Sequence, residues 1–423
     1  MSDTNTNYQC PQCTGPLRYD GAKGKLVCDF CEGEFTTAEI EELYKDKDDK
    51  AAKALEYNTQ EEWVDEDMSA YSCPSCGAEL ICDATTAATS CPYCGNPTIV
   101  PGQFAGTLKP DLIIPFKLDK NTAINNLKKH YEGKFLLPKQ FKDQNHIDEI
   151  KGVYVPFWLF DYSCEADVDM NGTKVYTKDH ATYVEETTEY YRVARSGSID
   201  YDKIPVDASL AMPDDHMDSI EPYNYDDLTE FSTAYMPGFL ANKYDVSIEE
   251  ASSRSELRAK NTIIDSLSDD PNNYSTLNVT NSDVRFTKAE AKYAMLPVWM
   301  LSTSWEGKNF LFAMNGQTGK MVGDLPVDSG KRLRFGILTA IISFVVCCAV
   351  CSIMNMDTIT WPAIAAAIIT VCIIGSWNMQ LKSIKKETTA AVYIKPDSFN
   401  VTNRSDVFLR RKVERKNKDT NNK

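Results

Sequence analysis

Eight of the fourteen cysteines fall into four Cys-x-x-Cys pairs whose spacing suits metal ligation. Cys10-Pro-Gln-Cys13 is followed after 14 residues by Cys28-Asp-Phe-Cys31. Cys73-Pro-Ser-Cys76 is followed after another 14 by Cys91-Pro-Tyr-Cys94, so the two units repeat at an offset of 63. Zn²⁺ takes four tetrahedral ligands, and thiolates supply them at about 2.3 Å. A two-residue gap lets both sulfurs of a pair turn onto one metal. The 14-residue spacers have room for a β-hairpin, and in the first unit Leu17 and Leu26 flank a turn around Gly21, Ala22, Lys23 and Gly24. Two structural zinc ribbons are expected, with Cys10, Cys13, Cys28 and Cys31 as one ligand set and Cys73, Cys76, Cys91 and Cys94 as the other. A site closed by four cysteines leaves no coordination position for substrate, which argues against catalytic zinc. A thioredoxin-like redox pair would need a βαβ context, which is missing here.

Two apolar runs, Phe335 to Met354 and Ile359 to Trp377, are the elements that locate these sites in the cell. A helix rises about 1.5 Å per residue, so each run can cross a hydrocarbon core about 30 Å thick. Asn355, Met356, Asp357 and Thr358 separate them, which predicts a tight transmembrane hairpin with Thr360 as a cap and Pro362 in the first turn. Lys331, Arg332 and Arg334 precede the pair and Lys382, Lys385 and Lys386 follow it. By the positive-inside bias both termini are expected in the cytoplasm, in a multi-pass protein of the cell membrane. Thiols are kept reduced there, which favours metal over disulfides. The first residues carry no targeting run, so insertion is expected to depend on the hairpin. Neither run holds an ionisable side chain, against an ion or substrate pathway. Cys347, Cys348, Cys351 and Cys372 within the runs read as packing residues, with lipidation as the alternative.

Charge is divided along the chain. Residues 331–423 hold 15 basic and 6 acidic side chains, which leaves 30 basic and 55 acidic in residues 1–330. A body with net charge −25 is repelled by phosphate backbones and by anionic lipid. The second ribbon, from Ser72 to Val100, has no Lys or Arg. Nucleic-acid affinity rests on neutralising phosphates, so nucleic acid is not an expected partner, and a membrane-tethered nucleic-acid-binding regulator is the alternative reading. The basic run Arg410 to Lys418 could hold anionic headgroups or serve as an ordinary positive flank.

Between ribbons and hairpin, the patterning predicts a β-rich α+β domain. Leu112 to Leu118 reads as a strand, followed by a helix capped by Asp119 or Asn121 and running to Tyr131. Gly152 to Phe160 and Ala294 to Leu301 share a Pro-x-Trp core and read as comparable strands. Tyr183 to Ile199 and Phe310 to Val322 read as hairpin arms, with turns at Arg195–Ser198 and at Asn315–Gly319, the latter an Asn-Gly signal for a type I′ turn. Glu249 to Leu267 reads as a helix. The expected order is zinc ribbon 1 in 1–37, an acidic connector in 38–70, zinc ribbon 2 in 71–100, the β-rich domain in 107–330, the hairpin in 335–377 and a basic cytoplasmic tail in 378–423. No phosphate loop, G-x-S-x-G elbow or H-E-x-x-H motif occurs, and His130, His146, His180 and His216 stand apart. The Asp214-Asp215 and Asp226-Asp227 pairs read as solvated loop charge and Cys164 as a buried hydrophobe. No enzymatic activity is expected.

The phrases Cys73-Pro-Ser-Cys-Gly, Leu136-Leu-Pro-Lys, Tyr154-Val-Pro-Phe-Trp-Leu-Phe-Asp161, Gly238-Phe-Leu-Ala-Asn-Lys-Tyr-Asp-Val246 and Met314-Asn-Gly-Gln-Thr-Gly-Lys320 with Gly323-Asp-Leu-Pro326 resemble a family of bacterial, mainly Gram-positive, membrane-anchored double zinc-ribbon proteins. Its members carry descriptions such as "TFIIB-type zinc ribbon-containing protein" or "primosomal protein N′ (replication factor Y)". The helicase description does not suit a chain with no nucleotide-binding loop. Two closed metal sites, an acidic body, a plain hairpin and no catalytic constellation point to an adaptor or scaffold that presents a cytoplasmic protein-docking surface. The resemblance implies an envelope-stress setting for it, with phage-shock-protein-A-like or flotillin-like (SPFH) partners.

Overall fold

The computed structural model describes residues 17–28, 33–40, 62–63, 68–73, 76–83, 91–94, 100–102, 107–144, 147–270, 274–353 and 359–417. The protein is α+β, with a β-rich middle, a cysteine cluster toward the N-terminus and two apolar helices near the C-terminus. It forms two units. The first comprises Met1–Phe157, Asp207–Asp245 and Tyr293–Lys386, and the second Trp158–Val206, Val246–Lys292 and Glu387–Lys423.

In the first unit the two Pro-x-Trp phrases lie on adjacent strands, the early part of Lys151–Asp179 and the late part of Thr276–Trp305. Val153 to Val155 and Ala294 to Leu296 have no solvent exposure, because neighbours cover both faces of this sheet. Phe116 is buried against it. Its ring stacks on Phe239 at 4.1 Å and meets Tyr154 and Trp299 edge-on at 5.0 and 5.2 Å. The strand expected over Leu112 to Leu118 stops at Ile113, since beyond Pro115 the chain turns to donate from Lys117 N and Leu118 N to Gly316 O. Asp119 caps the following helix, Lys120–His130, by accepting from Thr122 N at 2.8 Å.

The Asn315 turn differs from a type I′ turn. Asn315 is fully buried, its Oδ1 accepts from Gln317 N and Thr318 N, and only Gly319 in this turn has a left-handed φ, +79°. The side chain folds onto its own backbone, so the asparagine shapes the turn without itself going left-handed.

The apolar helices are Ser329–Ile353 and Thr360–Met379, each long and apolar enough to cross a membrane. The first begins six residues before the apolar run and so takes in Lys331, Arg332 and Arg334. Thr360 does not cap the second; it is already helical, and Ile359 precedes it with no side-chain cap. Ser343 Oγ and Thr370 Oγ1 meet across the pair at 3.4 Å. The two roots are tied together: Leu325 N donates to Leu381 O at 2.9 Å, Gly323 N to Ser383 Oγ at 2.8 Å and Ser383 N to Asp324 Oδ1 at 3.0 Å.

The second unit is built on longer strands than the patterning predicts. Tyr162, Cys164, Ala166, Val168 and Met170 alternate inward, extending the first Pro-x-Trp strand to Asp179. Burial pushes the Cys164 thiol up to about 12, as fits a packed hydrophobe. Tyr183–Asp207 is one strand, without the turn expected at Arg195–Ser198. Arg195 points inward there, paired to Asp406 at 2.5 Å and Asp270 at 3.4 Å. Gly197 allows close approach of the neighbouring strand, since a Cβ would meet Asn400 O at 2.7 Å. That neighbour is Asn400–Asn417, running antiparallel from Tyr183↔Asn417 to Ser198↔Asn400. Within the stretch read as a basic tail, Arg410 to Asn417 therefore lie on an edge strand in which Arg411 pairs with Glu189 at 2.7 Å and Arg415 with Glu185 at 2.9 Å. Helix Ile248–Ser268, capped by Ser247, covers the sheet through Tyr162–Ser255 and Tyr201–Ala259 hydrogen bonds.

Two half-buried histidines brace the first unit, His130 through Gly323 O at 2.9 Å and His216 through Leu311 O at 3.2 Å. Burial holds both below the ordinary value near 6.5, against the pull of Asp324. Below that value the unfolded chain binds more protons than the folded one, so stability falls as pH drops through about 6.5. The melting temperature is expected to fall more between about pH 7.5 and about pH 5.5 in the parent than in a His130→Gln/His216→Gln variant. Equal slopes would refute it.

Candidate metal centre

Strand Met68–Ser72 delivers Cys73 to the start of a tight knuckle. Gly77 N donates back to Cys73 O and Cys73 N to Ala78 O, both at 2.9 Å, and Gly77 takes a φ of +76° that a side chain would strain. Cys76 is thereby turned toward Cys73. Cys91 to Cys94 form the facing turn. The ligand atoms of all four residues lie within 4.8 Å of one another, with Cys73 Sγ to Cys94 Sγ at 3.6 Å and Cys76 Sγ to Cys91 Sγ at 3.7 Å. A tetrahedron with metal–sulfur bonds of about 2.3 Å has edges of about 3.8 Å, so the four sulfurs fit one thiolate-bound ion such as zinc. A bound ion would supply a crosslink of four bonds between two turns.

Cys73 and Cys91 are buried, Cys94 is half-buried and Cys76 exposed. Although Cys76 is exposed on one side, partial desolvation among the other cysteines pushes its thiol up to about 11, and burial raises Cys91 further. Metal uptake at neutral pH must therefore displace protons, and affinity rises with pH. Among the described residues this is the one cluster of three or more potential ligands. Cys28 is buried at the end of strand Lys25–Cys28, which pairs with Leu17–Asp20 in the register Leu17↔Cys28. Its expected co-ligands Cys10, Cys13 and Cys31 lie outside the described residues.

The patterning did not show what holds the second centre in place. Its hairpin strand Glu79–Asp83 pairs with Leu240–Asn242 in the register Ala241↔Ile81 and Asn242↔Leu80, and so belongs to the large sheet. Leu80 and Ile81 are buried and Lys243 N donates to Glu79 O. The centre is a corner of the first unit, where a separate module in 71–100 was expected. A pairing 160 residues distant leaves no local signal beyond the apolar pair Leu80-Ile81.

A four-cysteine centre built into a β-rich α+β body, with two apolar helices on the same chain, is compatible with a membrane-anchored zinc-binding protein. Among curated proteins, the "Uncharacterized protein YdjG" of Bacillus subtilis (strain 168) is 35% identical over 325 residues, which cover 77% of this chain and 91% of that protein. The chain belongs to the family of that Bacillus protein. No family model matches the chain. No solved structure matches it.

Proposed function

We propose that this protein is a membrane-anchored zinc-ribbon adaptor, without enzymatic activity, whose body presents a docking surface to cytoplasmic proteins of the envelope-stress response, flotillin-like and phage-shock-protein-A-like proteins among them. The closed four-thiolate centre carries the reading, because it supports structure and leaves no coordination position for a substrate. A second zinc, on Cys10, Cys13, Cys28 and Cys31, belongs to the same proposal. So does the wider family of double zinc-ribbon proteins. The clamp between the hairpin roots supports an even number of crossings, since Leu325 and Leu381 bond to each other and must lie on one side of the bilayer. The basic residues at both roots favour the cytoplasmic side.

Crosslinking in intact cells followed by purification tests the adaptor. Co-purifying proteins are expected with the parent chain and are lost, with membrane location kept, in a Cys73→Ser/Cys76→Ser variant. Recovery of the parent chain alone would reject the reading. A membrane-impermeant label applied to the same cells should leave tags at both termini unmodified; modification of either tag rejects the orientation.

A further inference from the structure

The first unit contains a cleft of about 590 Å³ that none of the preceding chemistry uses. One wall is the turn of the first hairpin, from Arg18 to Gly21. Opposite stand the N-terminus of helix Lys120–His130 and the start of strand Lys151–Asp179, with Trp299 and Phe239 among the lining residues. Its volume is that of a small-molecule site. The hairpin is fixed to the domain by Tyr19 N donating to Pro237 O at 3.1 Å and by the Tyr19–Tyr235 edge contact at 5.3 Å. Two glycines set the walls. A Cβ on Gly152 would meet the Phe239 ring at 2.5 Å, and Gly238, at φ +86°, lies against the Arg18 stem.

The lining reverses the charge of the body around it. Residues 1–330 hold nearly two acids for each base, yet three bases, Arg18, Lys120 and Lys151, line this cleft with two acids, Asp20 and Asp119. Lys151 is half-buried, with Glu149 and Cys91 close by and Lys120 near enough to repel it. Asp20 accepts from Ala22 N at 3.0 Å, and Asp119, which also lies near Arg18, accepts from Thr122 N at 2.8 Å. Lys120 N and Asn121 N open the helix, at the end where backbone N–H groups lack intrahelical acceptors. Three cations beside these donors match a doubly charged, three-oxygen group better than a single carboxylate.

We propose that this cleft binds the phosphate group of a small organic phosphomonoester, with Lys120, Lys151 and Arg18 around the phosphate and Trp299 and Phe239 beneath the organic part. The inference stands apart from the adaptor reading and needs no partner protein.

Full-length, metal-loaded protein in maltoside detergent is titrated with inorganic phosphate and with glycerol 3-phosphate, and binding is read by calorimetry and by phosphorus NMR line width. Saturable binding is expected for both, tighter for the ester, with acetate failing to compete. Lys120→Gln and Arg18→Gln, both at exposed side chains, should each weaken binding roughly five- to tenfold, while Lys308→Gln on a different strand should not. Repetition in nanodiscs of phosphatidylcholine with and without phosphatidic acid separates the two sources of the group. Loss of the free-ester signal only with phosphatidic acid assigns the phosphate to a lipid headgroup, and an unchanged signal assigns it to a soluble ester. No saturable signal, or binding unchanged in both charge variants, overturns the proposal.

Discussion

Replacing Cys73 and Cys76 by serine is expected to remove one metal ion per chain and to loosen the sheet edge formed by Met68–Ser72, Glu79–Asp83 and Val100–Gly102. Structural zinc bound by short peptides contributes on the order of 10–16 kcal/mol of binding free energy, most of which appears as folding free energy. Here the neighbouring sheet holds part of the hairpin without metal, because Leu80 and Ile81 are buried and paired to Asn242 and Ala241. The loss should therefore stay local. Metal content by plasma emission should drop by one equivalent, and amide exchange should quicken at Leu80, Ile81 and Ala241 while Met295 and Val298 stay protected. A variant with unchanged metal content would show that the four sulfurs are not one site. Retained protection at Leu80 after metal loss would show that the sheet alone holds the corner.

Ending the chain before Asn400 should have an effect of comparable size on the second unit. It strips the partner from Tyr183 to Ser198 and exposes a long unpaired edge, which promotes aggregation. It also takes Asp406 from Arg195, whose side chain is 6% exposed. A buried guanidinium that loses a charged partner costs roughly 2–4 kcal/mol, tempered here because Asp270 remains. The shortened chain should melt several degrees lower and be cut by protease within 183–206. Asp406→Ala in the full chain isolates the ion pair and should cost about 1–3 kcal/mol. A shortened chain that melts and resists protease like the parent would mean the edge strand contributes nothing.

The features readable from sequence were the local ones. The pairs Cys73/Cys76 and Cys91/Cys94, each with two residues between, a Ser247 cap followed by helical periodicity, and charge-free runs of about 20 residues each carry their signal within a few turns of chain. Strand Tyr183–Asp207 was cut short where inward positions held something other than an apolar residue. Arg195 and Gly197 occupy such positions, and a guanidinium or a bare backbone there looks like a turn until its partners Asp406 and Asn400 are known. Alternation through Tyr162, Cys164, Ala166, Val168 and Met170 was available to extend the first long strand. The final strand offered no such cue, because nearly all its side chains are exposed and it is held by backbone pairing and by glutamates more than 200 residues away. The cleft was equally hidden, since Arg18, Lys120 and Lys151 gather only in the folded chain.

The place of the apolar helices in the chain also sets a timetable for biosynthesis. Strand Asn400–Asn417 is made after both helices, yet its partner Tyr183–Asp207 leaves the ribosome long before them. Until the last residues emerge, the edge from Tyr183 to Ser198 is bare and Arg195 lacks Asp406. The second unit can close only once the helices have left the ribosome, so completion of the fold reports that synthesis has passed the hairpin. A chain stalled within the hairpin would display an open strand edge, the kind of surface that chaperones and proteases act on.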